Sequence, residues 1–295
     1  MRIDELLGQY EEYITHEIQL APATISNYLS DLRKYSCFTS KEVAAITADD
    51  LREYMRHLSK IGLQSTSIRR KIHGFTTFWE WLKMQDIVQD VITQEIRLPR
   101  KDTKVPRWLN KPELAKFVNT PVKEMFSPWQ AQRDSMAWKT LAWLGIRRGE
   151  LLNMKIDDVK LDDWEVVIRN TKGKRDRVIP LPEPLLTDLE MFVRGRDKSD
   201  YVFGESGGKK WSKRNFHKAF NLHLDHCGLK GSDITPRTLR HTFATHMVAK
   251  TGNLAVVKEM TGHKDVKSLF IYVHAAPEWI KDAMSKNILH ELVNT

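Results

Sequence analysis

Residues 235–272 read TPRTLRHTFATHMVAKTGNLAVVKEMTGHKDVKSLFIY, a stretch that gathers arginine and histidine side chains and ends on one tyrosine. A threonine followed by a proline is typical of a helix start, because threonine caps free N–H groups and proline lacks the N–H that would have no partner. Arg237, Arg240 and His241 fall on one face of that helix. Positive side chains near a helix N-terminus favour an anion, so the stretch predicts a phosphate site.

Two further helices are predicted in the same stretch. The first covers 253–260 and ends at Gly262, which places His263 at a helix end, and the second carries Tyr272, nine residues after His263. An arginine–histidine pair alone is typical of a solvated surface, and a tyrosine alone is typical of packing. The spacing of these groups therefore carries the prediction of a site.

The chain is basic, with a net charge of +9 over 295 residues, and the excess is uneven. Residues 1–104 hold 15 Lys+Arg against 15 Asp+Glu, so the whole excess lies in the remainder. This distribution indicates a polyanion as partner, although basic charge alone also serves solubility. The length suits one large domain or two ordinary ones.

The cysteine content and the N-terminus bear on location. Cys37 and Cys227 are too few to indicate a disulfide framework, which favours a reducing compartment. The N-terminal residues carry acids where a signal peptide would be basic and then apolar, and no window is long and apolar enough for a membrane span. We therefore expect a cytoplasmic protein without a membrane segment.

The sequence pattern divides the chain into three parts. Residues 1–92 predict a domain of four helices, and residues 108–295 predict a second, mostly helical domain. Between them, 93–107 hold two prolines and five basic residues without a helical period, which predicts a linker.

A basic cluster lies near the start of the fourth helix and consists of Arg69, Arg70 and Lys71. Such a cluster is typical either of a solvated helix face or of a grip on DNA phosphates. As an isolated observation it favours neither interpretation.

In the second domain, Arg147 is expected in a turn between two packed helices. An apolar helix over 132–144 ends at Gly145, and another helix begins at Glu150, three residues after Arg147. The glutamate is the expected partner that orients the arginine. Such a pair is more often an ordinary surface salt bridge, so its role depends on the other groups.

Strands are predicted only in the middle of the second domain. Runs at 164–170 and 175–181 predict a hairpin with Lys172 at its tip, and 201–204 predict a third short strand. Past Pro277, an apolar stripe predicts a last helix.

Two other runs have only a superficial likeness to ligand sites. The first contains His223, Asp225, His226 and Cys227, but the spacing matches no standard zinc pattern and the run continues an amphipathic helix. The second, GESGGKK at 204–210, lacks the spacing of a phosphate-binding loop. We expect no metal site in the first run and an ordinary loop in the second.

Taken together, the motifs resemble those of tyrosine recombinases in the phage integrase and Xer branch. The catalytic motifs, in the order and spacing of that family, are GIRRGE (145–150), TKGKRDRVIPLP (171–182), TPRTLRHTFATH (235–246) and the GH pair at 262–263 with Tyr272 nine residues later. TISNYLSDL (24–32) and STSIRRKIHGFTTFWEWL (65–82) are similar to the family's helical core-binding domain. The resemblance implies a mainly α fold with a small antiparallel β-sheet, in a core-binding and a catalytic domain.

The resemblance also implies a reaction at a DNA phosphate. Tyr272 would attack the phosphorus and become joined to the 3′ end, and Lys172 would protonate the departing 5′ hydroxyl. Arg147, Arg240 and His263 would bind phosphate oxygens, with Glu150 in support. Guanidinium groups stabilise the charge and a phosphotyrosine conserves the bond energy, so neither a metal nor a cofactor is expected. The implied partners are duplex DNA and further copies of the chain, a dimer per site and a cyclic tetramer joined through the C-terminal helix.

One position departs from the family pattern. Arg237 stands where the family commonly has a histidine, and arginine cannot serve as a base because it does not lose its proton. We expect Arg237 to act as a phosphate clamp. His263 and His241 are the candidates to take the proton of Tyr272.

Other functions compete with this interpretation. A type IB-like topoisomerase would use the same groups without joining two duplexes, and a non-catalytic DNA-binding regulator would form no covalent intermediate. A metal-dependent nuclease is the weakest alternative, because no acidic cluster accompanies the histidines.

Overall fold

The computed structural model describes four stretches of the chain, which are residues 1–100, 106–122, 127–169 and 176–273. The chain divides into two compact units, residues 1–104 and 105–295. Helices dominate the described residues and one small antiparallel sheet accompanies them, which confirms the predicted fold class. No helix among these residues combines the length and the apolar content that crossing a membrane requires.

Residues 1–100 of the N-terminal unit form four α-helices around an aromatic core. They are α1 (Ile3–Glu12), α2 (Pro22–Phe38), α3 (Ala48–Lys60) and α4 (Ser65–Met84). Phe75, Phe78 and Trp79 of α4 are fully buried, and the rings of Phe78 and Trp79 meet edge to face at 5.5 Å. Burial of these large rings fixes α4 at the centre of the unit.

The chain after α4 stays with the N-terminal unit beyond the predicted boundary. A 3₁₀ turn, Ile92–Glu95, packs against α4, and Thr93 and Ile96 are buried. On the other side, Leu109 is fully buried in the core of the second unit. Ile96 lies within the segment 93–107 that composition predicts as a linker, and it packs in the core of the N-terminal unit.

The second unit contains eight α-helices among its described residues. They are α5 (Lys111–Asn119), α6 (Pro128–Leu144), α7 (Arg148–Asn153), α8 (Glu183–Val193), α9 (Lys213–His226), α10 (Pro236–Thr251), α11 (Leu254–Thr261) and α12 (Phe270–Val273). Gly145 ends α6 with φ 58°, and a Cβ there would lie 2.2 Å from the Phe243 ring. A glycine at this position lets α6 end directly against α10. The predicted helix after Pro277 lies outside the described residues.

A three-stranded antiparallel sheet completes the second unit, in the order β1 (Val159–Lys160), β2 (Glu165–Ile168) and β3 (Arg177–Pro180). The predicted hairpin is β2 and β3, with Val166 opposite Ile179. The prediction of a third strand at 201–204 is wrong, since Tyr201 forms only an isolated bridge to Lys155. The third strand is β1, which is too short for its alternation to be recognised in the sequence.

Candidate active site

Arg147 lies in the turn that joins α6 to α7. Its backbone N–H donates to Glu150 Oε2 at 2.7 Å and its Nη1 donates to Glu150 Oε1 at 2.7 Å. The same carboxylate therefore caps the start of α7 and holds the guanidinium. Arg147 Nη2 donates to the carbonyl oxygen of Gly262 at 2.7 Å, which ties this turn to the residue before His263.

A second arginine, Arg177 on β3, completes this cluster although its motif does not single it out. Its Nη1 and Nη2 donate to the two Glu150 oxygens at 3.0 and 2.8 Å, and its Nε donates to the Met260 carbonyl at 3.0 Å. Arg177 lies two residues before the fully buried Ile179, so both side chains lie on the inward face of the strand. The spacing of these two residues is the signal in the sequence, because a charged side chain that faces a core needs a partner.

Gly262 allows the close approach of this cluster to the end of α11. The residue has φ 64°, and a Cβ there would lie 2.9 Å from Arg177 Nη1. Any side chain would therefore combine backbone strain with a clash. The glycine turn carries His263 into the site.

The ionisation of Glu150 makes the stability of the fold depend on pH in the acid range. Burial raises the pKa of its carboxyl, but the hydrogen bonds and charges of Arg177 and Arg147 outweigh burial and lower the pKa to about 2. Because the folded pKa lies below the ordinary value of 4.5, the carboxylate stabilises the fold fully above about pH 4.5, and this contribution is lost as the pH falls toward 2. We expect this loss to reach about 3 kcal/mol.

The prediction is tested by urea unfolding of the wild type and of Glu150→Gln between neutral pH and acid. The variant should be less stable at neutral pH, because it leaves two arginines without their carboxylate, and its stability should fall less steeply in acid. Identical pH dependence in the two proteins would contradict the assigned pairing.

Arg240 lies on α10 with its side chain buried and one nitrogen unpaired. Its exposed fraction is 6%, and Nη1 donates to the Gly145 carbonyl at 3.0 Å. Nη2 is buried and has no hydrogen-bond partner within the described part of the chain. Burial and then the charge of Arg147 lower the pKa of Arg240 to about 10, so the group stays protonated at neutral pH. A buried cation with a free donor is a binding group for an anion.

Tyr272 lies on α12, and its hydroxyl meets a histidine of α10. The side chain is buried, and Oη lies 2.7 Å from His241 Nδ1. Burial raises the pKa of Tyr272, and the charges of Arg240 and Arg237 partly oppose this rise. The hydroxyl is therefore protonated at neutral pH and needs an acceptor before it can react.

His263 follows the glycine turn and packs edge-on against Tyr272, with ring centroids 6.0 Å apart. Its Nδ1 lies 2.5 Å from Thr261 Oγ1, a neighbour that the motifs do not predict. Burial and then the charges of Arg240 and Arg147 lower the pKa of His263 to about 4. The ring is thus neutral and fixed, and its second nitrogen is left for a ligand.

The structure brings together five of the six predicted catalytic residues. Arg237 is exposed in the first turn of α10, and its charge acts on both Tyr272 and His241. Lys172 lies outside the described residues. The strands on either side of it pair up to Ile168 and Arg177.

The predicted DNA contacts on α4 are engaged within the N-terminal unit. Lys71 is buried with its ammonium bound to Asp31, and Arg70 Nη1 donates to the same carboxylate at 2.6 Å. Arg69 Nη1 donates to the Pro99 carbonyl at 2.7 Å. Burial and pairing take Lys71 away from any surface ligand, so we do not retain it as a DNA contact.

Three arginines line a cleft between α3, the start of α4 and the chain after α4. This cleft has a volume of about 390 Å³, and Arg52, Arg56 and Arg97 contribute to its wall. Arg52 is held by Asp49 and by the Glu95 carbonyl. Arg52 and Arg56 lie on α3 and Arg97 lies in the chain after α4, so no single stretch of sequence indicates the cleft.

The histidine–cysteine run on α9 is part of the packing. His223 is buried with Nε2 2.8 Å from the Phe117 carbonyl and 3.4 Å from Cys227 Sγ. The described residues contain no group of three or more histidine, cysteine or acidic residues arranged to hold a metal. Residues 204–210 form a tight loop in which Glu205 N–H donates to the Lys209 carbonyl at 2.7 Å.

Comparison with known proteins relates both units to one family. Residues 107–278 match the phage integrase family, and residues 7–86 match the phage integrase N-terminal SAM-like domain. A tyrosine recombinase of Pseudothermotoga lettingae is 30% identical over 291 residues, covering 96% of this chain and 98% of the relative. Tyrosine recombinase XerA of Pyrococcus furiosus is 28% identical over 264 residues, covering 89% of this chain and 90% of the relative.

Solved structures share the fold at lower identity. XerH recombinase bound to a palindromic difH substrate superposes with a TM-score of 0.75 at 21% identity, covering 96% of this chain and 84% of the other. A lambda integrase bound to a COC′ core site superposes with a TM-score of 0.74 at 16% sequence identity, covering 92% of this chain and 77% of the other. With the family match over more than half of its length and a relative of nearly equal extent, the chain belongs to the tyrosine recombinases of the phage integrase family.

Proposed function

We propose that this site-specific recombinase cuts and rejoins duplex DNA through a 3′-phosphotyrosine at Tyr272. The observation that supports the proposal is Arg240, whose buried Nη2 has no partner among the described residues and whose charge acts on Tyr272. A nucleophile beside a free guanidinium donor suits an electrophile that carries negative charge. The phosphodiester of DNA is such an electrophile.

The charge of the reacting phosphate is taken up by groups that are already in place. In the pentavalent transition state, negative charge grows on the non-bridging oxygens, where we place Arg147, Arg240 and His263. Glu150 and Arg177 hold the Arg147 guanidinium, so its donors need no reorganisation during the reaction. Arg237, exposed at the start of α10, is proposed as an additional phosphate clamp.

Lys172 is proposed as the general acid that protonates the leaving 5′ oxygen. Lys172→Ala should slow cleavage by ~10²–10⁴-fold with little effect on DNA binding. A 5′-phosphorothiolate substrate has a leaving group that needs little protonation, so it should restore cleavage by Lys172→Ala but not by Arg240→Ala. Single-turnover cleavage of both substrates measures this. Equal rescue of the two variants, or of neither, would argue against the role, and Lys174 would become the candidate.

The two units are proposed to divide DNA contact between them. Residues 1–92 would form the core-binding domain, 93–107 the connection and 108–295 the catalytic domain. Within the N-terminal part, we propose that Arg56 and Arg97 of the basic cleft contact phosphates, together with Arg69 and Arg70. We further propose a cytoplasmic location, which the two free cysteines favour.

Recombination between two duplexes also requires several copies of the chain, and we propose a cyclic tetramer with a dimer per site. An apolar groove of about 510 Å³ lies between α5, α6, the end of β3 and α10. Trp143 and Met247 are among its lining residues, and Trp143 is 44% exposed. We propose that the apolar stripe past Pro277 of a neighbouring copy occupies this groove.

A charge in the groove should weaken assembly and spare cleavage of a single site. Trp143→Glu should reduce tetramer formation on DNA by at least ~10-fold, because a tryptophan at the centre of an interface carries much of the binding energy. Trp164→Glu, which changes a tryptophan of similar exposure (49%) outside the groove, is the control. Sedimentation of protein–DNA complexes measures the effect. Equal assembly by both variants would place the interface elsewhere.

Strand joining between two duplexes separates this function from its alternatives. Duplexes selected from a random library for binding are mixed with the protein in EDTA and without ATP, one of them labelled. Transfer of the label to recombinant duplexes is the expected result. Relaxation of supercoils without transfer would favour the topoisomerase. Binding without a covalent adduct would favour the regulator.

A further inference from the structure

Resting on the proposed function, the remaining question is which group takes the proton of Tyr272. We propose that His241 Nδ1 accepts this proton during cleavage and returns it during rejoining. The assignment rests on the contact between α10 and α12. His241 Nδ1 and Tyr272 Oη lie 2.7 Å apart, and the ring centroids are 5.6 Å apart. This is the distance at which a general base abstracts a proton.

The other two candidates do not have this geometry. His263 has its Nδ1 against Thr261 Oγ1, and it presents a ring edge to the Tyr272 ring at a centroid distance of 6.0 Å. Arg237 has no acceptor nitrogen. The position that the family commonly fills with histidine therefore supplies only charge here, and the histidine four residues later on the same helix supplies the acceptor.

The groups around His241 keep its ring neutral, so that it can accept a proton. The groups that face it are Arg237 and Arg240 from α10, Tyr272 from α12 and His263 after α11. Burial, then the charges of Arg237 and Arg240, lower the pKa of His241 to about 4, so the ring is neutral at neutral pH. A bound phosphate would offset the two arginine charges and raise this pKa again. The base thus gains strength only when the substrate is present.

The proton balance of the step is complete. The Tyr272 O–H bond breaks and the proton moves to His241 Nδ1 while the Oη–P bond forms. The P–O5′ bond breaks, and the 5′ oxygen takes a proton from the general acid. In rejoining, a 5′ hydroxyl attacks phosphorus and gives its proton to the general acid, which lost one during cleavage. The Oη–P bond breaks, and the imidazolium returns its proton to the departing Tyr272 oxygen.

Substitution by asparagine separates basicity from positioning. His241→Asn can place an amide oxygen near the position of Nδ1, where it accepts a hydrogen bond but not a proton. We expect adduct formation to fall by ~10²-fold or more with His241→Asn as well as with His241→Ala. The residual rate of His241→Asn should rise about tenfold per pH unit above neutrality, because hydroxide must then take the proton. The matched control is His226→Asn on the exposed end of α9.

Three results test the proposal even if one of the variants folds or binds DNA poorly. Adduct formation by His241→Asn within about threefold of the wild type, with the same pH profile, would overturn it. Partial recovery in Arg237→His/His241→Asn, which restores an imidazole near Tyr272, would support it even if the single variant binds DNA poorly. No recovery by a double variant that binds DNA would count against it. An adduct formed by Tyr272→Phe would instead refute the proposed function.

Discussion

Tyr272→Phe is expected to abolish the covalent protein–DNA adduct while duplex binding stays within about threefold of the wild type. The substitution removes one hydroxyl and no cation, so the groups proposed to bind phosphate remain. The lost contact with His241 should cost about 1 kcal/mol of stability, which a folded domain tolerates. Incubation with a nicked half-site, followed by denaturing electrophoresis, measures the adduct.

The comparison needs a second tyrosine as control. Tyr201 lies in the same unit, in a short bridge away from the site, so Tyr201→Phe should form the adduct normally. An adduct from Tyr272→Phe that survives denaturation would mean that another residue is the nucleophile, and the site would have to be assigned again.

Arg240→Ala is expected to slow cleavage by ~10³–10⁵-fold, the range seen when an arginine that stabilises phosphoryl transfer is removed. The side chain is buried, and its Nη2 has no hydrogen-bond partner in the described part of the chain. Arg240→Lys should recover only part of the rate, because an ammonium keeps the charge but loses the planar pair of donors. Single-turnover cleavage at saturating protein measures both variants.

Stability must be separated from chemistry for this residue. Arg240 also donates to the Gly145 carbonyl, so Arg240→Ala removes a contact between α6 and α10. Retained DNA binding by Arg240→Lys shows that the fold is intact. Arg194→Ala changes an exposed arginine at the end of α8 that pairs with Glu190, and this variant should cleave at the normal rate. Cleavage by Arg240→Ala within about tenfold of the wild type would contradict the role assigned to Arg240.

Much of the fold could be predicted from local signals. The ends of α6 and α11 follow from Gly145 and Gly262, because a glycine with positive φ ends a helix. The start of α10 follows from Thr235 and Pro236, because the threonine side chain caps a free backbone N–H of the first turn. The proximity of Tyr272 and His241 followed only from a family resemblance, since the two residues lie on different helices.

What could not be predicted depends on contacts between distant segments. Arg177 and Lys71 occur in basic runs, yet each is held by one carboxylate that lies far away in the sequence, Glu150 and Asp31 respectively. The two basic runs look alike in the sequence. Pairing with Glu150 places Arg177 in the site, whereas pairing with Asp31 buries Lys71 within the N-terminal unit. The identity of the proton acceptor depended in the same way on a tertiary contact.

Peptide mapping of the trapped adduct tests whether Tyr272 becomes joined to the 3′ end of DNA. Trypsin should release residues 268–281, in which Tyr272 is the one tyrosine, carrying the nucleotide remnant after nuclease digestion. We expect a phosphotyrosine at Tyr272 with the 3′ oxygen of the DNA as its ester partner. A remnant on any other residue, or linkage through a 5′ oxygen, would contradict it.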